Sequence, residues 1–273
     1  MRVDVDDPSD PRLDPYRSLK GRPADEETFV VEGLTTLRQA LAAGISLRSA
    51  LVLPTRVGEV EALGIPFHVA DRAAFEDITG FDVHRGVLAI ATRPPEPDLD
   101  HLLTTAGAIL AIEGVSDSAN VGSLFRNAAA LGADAVVLDP SCCDPLLRRS
   151  VRVSIGTVLS VPFARVTDWP GGLRDRGLTV LALTPSGDVA LDDVEVPGRF
   201  ALLVGTEGEG LSAAALTAAD MRVRIPMARG VDSVNVATAA AIALHSLSRS
   251  AVQRGGAVTG LQRAIAPPGS ATA

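Results

Sequence analysis

This chain of 273 residues lacks the features that mark several protein classes. Its only cysteines, Cys142 and Cys143, are adjacent, and adjacent cysteines rarely meet disulfide geometry, so we expect no structural bridge and a reducing, cytoplasmic compartment. Four scattered histidines give no metal-ligand spacing, so we expect no metal site. No apolar run approaches a membrane span, and the acidic, proline-containing start lacks the segments of a secretion signal, so we expect no membrane association.

Aromatic residues and net positive charge are also scarce. Aromatics make up 3% of the chain, which leaves few side chains on which single-stranded bases could stack. The formal net charge of −8 argues mildly against nucleic acid, although binding depends on local patches rather than on totals. One such patch contains Arg148, Arg149 and Arg152, which form either a solvated helix face or a surface for RNA.

The chain does have enough apolar residues, 47%, to fill a core in each of one or two domains. Composition divides it into a flexible lead-in over 1–26, a small α/β domain over 27–92, a stiff proline-rich linker over 93–98, a larger α/β domain over 99–255 and a flexible tail over 256–273.

Both domains are predicted to alternate strands and helices, and near-continuous apolar strands in the larger one indicate a parallel sheet covered on both faces. In the small domain we predict strands at 28–32, 49–53, 66–69 and 86–91, and helices at 33–44, 57–63 and 73–78. In the larger domain we predict strands at 108–112, 135–138, 158–161, 179–183, 201–204 and 222–225, and helices at 121–131, 145–153, 212–218 and 234–249.

Three segments of the larger domain share one design, in which a strand runs into a tight polar loop and then a helix. They cover residues 113–120, 204–210 and 225–235. Loops at the ends of strands in one α/β domain meet at one edge of the sheet, so we expect a composite ligand site.

Several residues of these loops have a structural and a functional interpretation. Asn120 suits either a helix N-cap or a ligand contact, and Arg126 is either solvent-facing or an anion clamp. Glu207 and Glu209 would repel a phosphate, so the second loop favours a ligand with donors or positive charge, unless it is a plain turn.

The third loop ends in Ser233 and Asn235, either of which could simply cap the last helix. Small residues from Ala237 to Ala243 make that helix either a surface for a partner subunit or a buried core helix.

The three segments resemble the motifs of the SpoU (TrmH) branch of the SPOUT RNA methyltransferases. These are Asn120-Val-Gly-Ser-Leu-Phe-Arg126, Leu203-Val-Gly-Thr-Glu-Gly-Glu-Gly-Leu-Ser212 and Ile225-Pro-Met-Ala-Arg-Gly-Val-Asp-Ser-Val-Asn235. The resemblance covers about residues 107–250, with the motifs in order. The first half also resembles the family's ribosomal-protein-like substrate-recognition domain, at Val31-Glu-Gly-Leu-Thr-Thr-Leu-Arg38 and His84-Arg-Gly-Val-Leu-Ala89.

The resemblance implies a fold, a cofactor and a reaction. The fold would be α/β, with a deep trefoil knot in a C-terminal SPOUT-type parallel sheet, next to a small ribosomal-protein-like α/β domain. The protein would be a homodimer that binds S-adenosylmethionine and methylates a ribose 2′-hydroxyl of rRNA or tRNA. Methylation of a base, a non-catalytic RNA-binding or assembly role, and an antibiotic-resistance role are the alternatives.

The resemblance also implies roles for individual residues. The catalytic residues would be Arg126, Asn120, Ser233 and Asn235, and the cofactor-binding residues would be Gly205, Thr206, Glu207, Gly208, Ile225, Met227 and Val234. We assign RNA contact to the arginine patch, Arg148, Arg149 and Arg152. The resemblance implies that Arg126 activates the hydroxyl, either as a base that takes its proton or as a fixed cation that lowers its pKa. Because an arginine is hard to deprotonate, the fixed cation is the account we favour.

Overall fold

The computed structural model describes residues 2–5, 7–17, 19, 25–81, 85–195 and 198–253. The chain forms two compact units, the first drawn from residues 1–95 and 144–160 and the second from residues 96–143 and 161–273. Each contains its own sheet, so the expected α/β class is confirmed. The expected flexible tail over 256–273 lies outside the described residues.

The strands and helices follow one another in the alternation that the sequence predicts. The strands are β1 Arg2–Asp4, β2 Thr28–Glu32, β3 Leu47–Val52, β4 Phe67–Val69, β5 Val87–Thr92, β6 Ala108–Ile112, β7 Ala135–Leu138, β8 Phe163–Arg165, β9 Thr179–Leu183, β10 Val189–Ala190, β11 Phe200–Val204 and β12 Met221–Arg224. The helices are α1 Leu34–Ala42, α2 Val57–Glu61, α3 Arg72–Thr79, α4 Leu99–Thr105, α5 Ser118–Leu131, α6 Arg148–Val153, α7 Gly171–Arg174, α8 Ala213–Ala218 and α9 Val236–Gln253.

The first unit is built on a mixed five-stranded sheet with the order β1-β4-β3-β5-β2. β3 and β4 are parallel, whereas β5 is antiparallel to both β2 and β3. The apolar run of β5 is buried from Val87 to Ala91, which fits its place between two neighbouring strands. α6 belongs to this unit and packs against β2, although the sequence placed it in the larger domain.

The start of the chain differs from the expected flexible lead-in. β1 pairs in parallel with β4, and a 3-10 helix over Pro11–Tyr16 follows. Leu13 and Tyr16 are three residues apart, a spacing that suits this tight helix, and both are buried in the core of the first unit. Leu19, which follows the helix, is buried in the same core. The Tyr16 hydroxyl lies 2.6 Å from Ser49 Oγ. This segment therefore covers the sheet of the first unit.

The second unit contains a seven-stranded parallel sheet with the order β10-β12-β9-β11-β6-β7-β8. β6, β7 and β11 are buried at every residue, as continuous apolar strands between helices should be. The strand predicted over 158–161 is wrong, because Gly156, at φ 84°, leads into a 3-10 helix over Thr157–Leu159. The strand at that place in the sheet is β8, which starts later.

The register of the second sheet brings two of the three polar loops to the same edge. β6 and β11 pair from Ala108 with Phe200 to Ile112 with Val204, so both loops leave the sheet at the same level. β12 ends at that edge too, beside β9. Within the described residues, no helix combines the length and apolarity that crossing a bilayer requires.

Candidate active site

The three polar loops meet through a triangle of side-chain hydrogen bonds in the second unit. Asn120 Nδ2 donates to Glu207 Oε1 at 3.0 Å, and Asn235 Nδ2 donates to the same oxygen at 2.8 Å. Asn235 Nδ2 also lies 2.9 Å from Asn120 Oδ1, which accepts from it. One carboxylate thus fixes two amides from two other loops, and the structure brings the three predicted segments to one place.

The start of α5 explains why Asn120 is available for this triangle. Asp117, not Asn120, is the N-cap, since Asp117 Oδ1 accepts from the backbone N–H groups of Ala119 and Asn120 at 2.8 and 2.9 Å. The interpretation of Asn120 as the cap is therefore wrong. Its side chain lies in the first helical turn, with the amide directed at the other loops.

Asn235, by contrast, does cap its helix. Its Oδ1 accepts from Ala237 N at 2.9 Å at the beginning of α9, while its amide nitrogen joins the triangle. Both ends of one side-chain amide are thereby used, which fixes its orientation. The nearby Ser233 is exposed, and its hydroxyl has no hydrogen bond to the described part of the chain.

The loop between β11 and α8 needs glycine because its backbone folds back on itself. A Cβ on Gly205 would lie 2.3 Å from the carbonyl carbon and oxygen of Gly210 and 2.5 Å from Leu211 N. Gly210 N donates to Thr206 O at 3.1 Å, and Gly208 and Gly210 have φ values of 90° and 74°. The close turn presents Glu207 at its tip.

A buried glutamate at the end of β6 supports this loop, and sequence reasoning missed it. Glu113 Oε1 accepts from Trp169 Nε1 at 2.8 Å and from Ser212 Oγ at 2.7 Å, and its Oε2 accepts from Ser212 N at 2.8 Å. A charged residue directly after a fully apolar strand was the available signal, but its partners are distant in sequence.

A second carboxylate, Asp139, supports the loop that follows β6. It accepts from Gly114 N at 3.0 Å, from Cys142 N at 3.1 Å and from Ser141 Oγ at 2.6 Å. Burial alone would raise the pKa of Asp139, but these hydrogen bonds outweigh it and hold the pKa below its usual value. Burial also raises the pKa of the Cys142 thiol to about 12, which leaves this cysteine protonated.

A cavity of about 550 Å³ opens beside the triangle, in the second unit. Every residue predicted to bind the cofactor lines it, together with the predicted Ser233 and Asn235. Its lining includes three carboxylates, Glu207, Glu209 and Asp232, but no lysine, arginine or histidine among the described residues. Sequence reasoning missed the wall that residues 183–186 form after β9.

Arg126 stands apart from this cavity. It is exposed on α5, six residues after Asn120, and does not line the cavity. Its guanidinium makes no ion pair or hydrogen bond with the residues that the structure describes, so it is available to an external anion.

The predicted RNA-binding arginines lie in the first unit, whereas the other predicted site residues lie in the second. Arg148 Nη1 is 3.0 Å and Arg152 Nη1 is 3.7 Å from Oε2 of Glu32, and the Arg148 guanidinium stacks on Phe81 at 4.0 Å. Burial and the neighbouring Arg152 lower the pKa of Arg148, although Glu32 opposes this. Arg149 is exposed.

Sequence comparison relates this chain to known methylases. The model of the SpoU rRNA Methylase family matches residues 107–245. A Mycobacterium tuberculosis protein named as an uncharacterized tRNA/rRNA methyltransferase is 42% identical over 90% of this chain and 92% of its own length. The Bacillus subtilis 23S rRNA (guanosine(2553)-2′-O)-methyltransferase RlmP is 30% identical over 81% of this chain and 88% of its own.

Solved structures show the same fold. An AdoMet-bound rRNA methyltransferase from Sinorhizobium meliloti is 27% identical, with a TM-score of 0.79 over 91% of this chain and 97% of that one. An RNA 2′-O ribose methyltransferase is 28% identical, with a TM-score of 0.74 over 92% of this chain and 100% of that one.

Proposed function

The chain belongs to the SpoU rRNA methylase family, and on that premise we propose that it transfers a methyl group from S-adenosylmethionine to a ribose 2′-hydroxyl of ribosomal or transfer RNA. The observation that carries this proposal is the cavity at the strand ends, with three carboxylates and no cationic residue in its described lining. A phosphate-bearing ligand would be repelled there, whereas a sulfonium cation suits it.

The lining fits the proposed donor in its chemistry. Gly205, Ile225 and Val234 would contact it through backbone atoms, and Thr206, Glu207, Gly208 and Met227 complete the proposed binding set. When bound, S-adenosylmethionine would supply a methyl carbon activated by a positively charged sulphur. The folded-back loop after β11 is the part of the wall whose shape depends on the absence of a side chain, at Gly205.

Arg126 would act on the acceptor rather than on the donor. Its exposed guanidinium is free to hold a phosphate next to the target ribose, and a fixed cation there lowers the pKa of the hydroxyl. Asn120 and Asn235, whose amides Glu207 orients, would position the sugar, together with the exposed hydroxyl of Ser233.

Ribose is favoured over a base as the acceptor because the named activities of two relatives are 2′-O methylations. A non-catalytic role is disfavoured because Asn120, Arg126, Ser233 and Asn235 are all present together. In the first unit, Arg149 is the most accessible of the three arginines proposed to contact RNA. A methyl group on a base of the product RNA would contradict the choice of ribose as the acceptor.

We further propose a cytoplasmic homodimer with a knotted chain. Val231, Val234 and Ile242 expose 49%, 36% and 41% of their surface, an apolar set that a second copy could cover. The knot is proposed because the three motifs whose resemblance implies it lie together, with Asn235 donating to Asn120 and Glu207. A monomer in sedimentation would contradict the homodimer, and an unknotted crystal structure would contradict the knot. Recovery of the protein outside the cytoplasm would contradict the location.

The test of the function separates donor binding from transfer. The Arg126→Ala variant should lower methyl transfer to ribosomal and transfer RNA by about 100- to 1000-fold, because the cation that stabilises developing charge is lost. Its calorimetric Kd for S-adenosylmethionine should not change, since Arg126 does not line the cavity. The control is Arg72→Ala, which removes an arginine that is also exposed and should leave transfer intact.

Mapping of 2′-O-methylation in total RNA from cells with and without the gene would then identify the target nucleotide. Full turnover by Arg126→Ala would refute the role of this arginine. Failure of the wild-type protein to bind S-adenosylmethionine would refute the function itself.

A further inference from the structure

Glu113 accepts three hydrogen bonds from two distant parts of the chain, yet it does not line the cavity. The Trp169 indole and the Ser212 hydroxyl donate to one carboxylate oxygen, and the Ser212 backbone N–H donates to the other, all at 2.7–2.8 Å. The residue is 9% exposed and forms no ion pair with the described residues. Burying a carboxylate that has only neutral hydrogen-bond donors costs free energy. We therefore expect Glu113 to have a role that an apolar side chain could not fill.

These contacts place Glu113 directly behind the cavity wall. Its backbone N–H donates to Val204 O at 2.9 Å, and Val204 is followed by Gly205. Ser212 comes directly after Leu211, and Val204, Gly205 and Leu211 all line the cavity. Glu113 therefore holds the far end of the glycine loop next to the point where the loop begins.

The loops after β6 and β11 are thus joined twice. At the rim, Glu207 accepts from Asn120, and at the base, Glu113 accepts from Ser212. Ser212 Oγ also accepts from Ala215 N at 3.1 Å, so the same hydroxyl caps α8 and donates to Glu113. The contact at the rim is exposed to water, whereas the contact at the base is shielded from it. Because a shielded hydrogen bond is stronger, the contact at the base can fix the conformation of the loop.

We propose that Glu113 is a positioning residue that holds the glycine loop in the conformation that binds S-adenosylmethionine. The inference rests on the proposed function, because it concerns the affinity of the same cavity for the same donor. It assigns Glu113 to binding and not to the transfer step, since its carboxylate faces Ser212 and Trp169.

Glutamine at this position keeps the shape but cannot satisfy all three donors. If its carbonyl oxygen replaces the oxygen that faces Trp169, its NH₂ group points at the Ser212 N–H. If the amide is flipped, the NH₂ group points at the indole N–H and at the Ser212 hydroxyl instead. Either orientation sets a donor against a donor, and the loop must shift to relieve it.

The experiment measures the affinity for S-adenosylmethionine by calorimetry and resolves KM for the donor from kcat. Glu113→Gln should raise Kd and KM by about ten-fold, the effect of one buried hydrogen bond, and leave kcat at saturating donor within about two-fold. Trp169→Phe, which removes one donor and keeps an aromatic ring, should raise Kd by about three-fold.

The double variant Glu113→Gln with Trp169→Phe gives the sharpest readout. The glutamine NH₂ then no longer faces the indole N–H, and the Ser212 hydroxyl can rotate and accept from it through its second lone pair. This variant should therefore bind the donor more tightly than Glu113→Gln alone. A residue that merely stabilises the fold would lower the melting temperature of the variants without changing KM and without this rescue.

Four outcomes would decide the inference. Wild-type binding with an unchanged Kd for Glu113→Gln would overturn it and leave the proposed function intact, whereas no binding by the wild-type protein would refute the proposed function. If Glu113→Gln does not fold, Trp169→Phe and Ser212→Ala take its place, and an unchanged Kd in both would overturn the inference. A raised Kd with the rescue would support it.

Discussion

Glu32 in the first unit and Glu207 in the second are both carboxylates at the end of a strand or just beyond it, but their partners differ in kind. Glu32, 5% exposed, lies beside the guanidinium groups of Arg148 and Arg152. Glu207 is exposed and accepts from the neutral amides of Asn120 and Asn235. The first charge is neutralised within the unit, and the second is not.

This difference separates a structural from a ligand-binding use of the same side chain. The Glu32 pair attaches α6 to β2, because it joins residues that are far apart in the sequence. Glu113 and Asp139 resemble Glu207 in accepting from neutral N–H and O–H donors. The second unit thus keeps negative charge around a cavity whose described lining has no cation, which suits a positively charged ligand.

The largest effect is expected from adding one methyl group to the loop that presents Glu207. Gly205→Ala places a Cβ 2.3 Å from the Gly210 backbone, so the loop must move and the cavity loses its wall. We expect the calorimetric Kd for S-adenosylmethionine to rise by more than about 1000-fold. The control is Gly58→Ala in α2, where a Cβ meets nothing within 4 Å. Binding retained by Gly205→Ala would show that the loop does not form the site.

A substitution at Glu32 should lower the stability of the fold and leave the affinity for S-adenosylmethionine unchanged. Glu32→Gln leaves two guanidinium groups without their counter-charge. We expect the free energy of unfolding, measured by urea denaturation, to fall by about 2 kcal/mol. This is below the cost of breaking a fully buried pair, because the Arg152 side chain is 39% exposed.

Glu59→Gln is the matched control for Glu32→Gln, since Glu59 pairs with Arg56 at the surface and should change stability by less than about 0.5 kcal/mol. A weakened affinity of Glu32→Gln for S-adenosylmethionine would contradict the division between the two carboxylates.

The smallest effect is expected at Asp139, whose carboxylate accepts hydrogen bonds from neutral donors, and its effect on stability depends on pH. Because the folded pKa of Asp139 is lowered, the charge of Asp139 stabilises the fold above its unfolded value of 3.8, and this stability is lost as the pH falls through the folded pKa. Asp139→Asn should lower the free energy of unfolding by about 1 kcal/mol at pH 7. Urea titrations at several pH values should show this difference shrink below pH 3.8.

Salt provides the check on that last expectation. The donors to Asp139 include backbone N–H groups and a hydroxyl, so the Asp139→Asn difference should be the same at low and high salt. A strong salt dependence would place Asp139 with Glu32, among the carboxylates that depend on cations.

The sequence predicted the second sheet well because burial on both faces leaves a clear mark. β6, β7 and β9 have the bounds that their apolar runs indicated. β8 was misplaced because Val158 and Val161 are apolar, although Val158 is buried in a 3-10 helix instead. β1 was missed because three residues, two of them charged, give no periodicity.

The candidate site was predictable in its loops and not in its supports. Asn120, Glu207 and Asn235 were found because each belongs to one of the three motifs that carry the resemblance, and the structure joins them. The cap at Asp117 was missed because serine, aspartate and asparagine all occur nearby and all can cap a helix. The roles of Glu113 and Trp169 depend on a contact across 56 residues, which no local pattern indicates.

The first unit is assembled from two stretches of chain, with residues 96–143 between them. On the ribosome, α6 and Gly156 reach β2 and α1 only after that whole stretch has been made. The first unit therefore cannot complete its fold while β6, α5 and β7 emerge, because α6 is still missing. A nascent chain halted before residue 144 would expose Glu32 without Arg148 and Arg152.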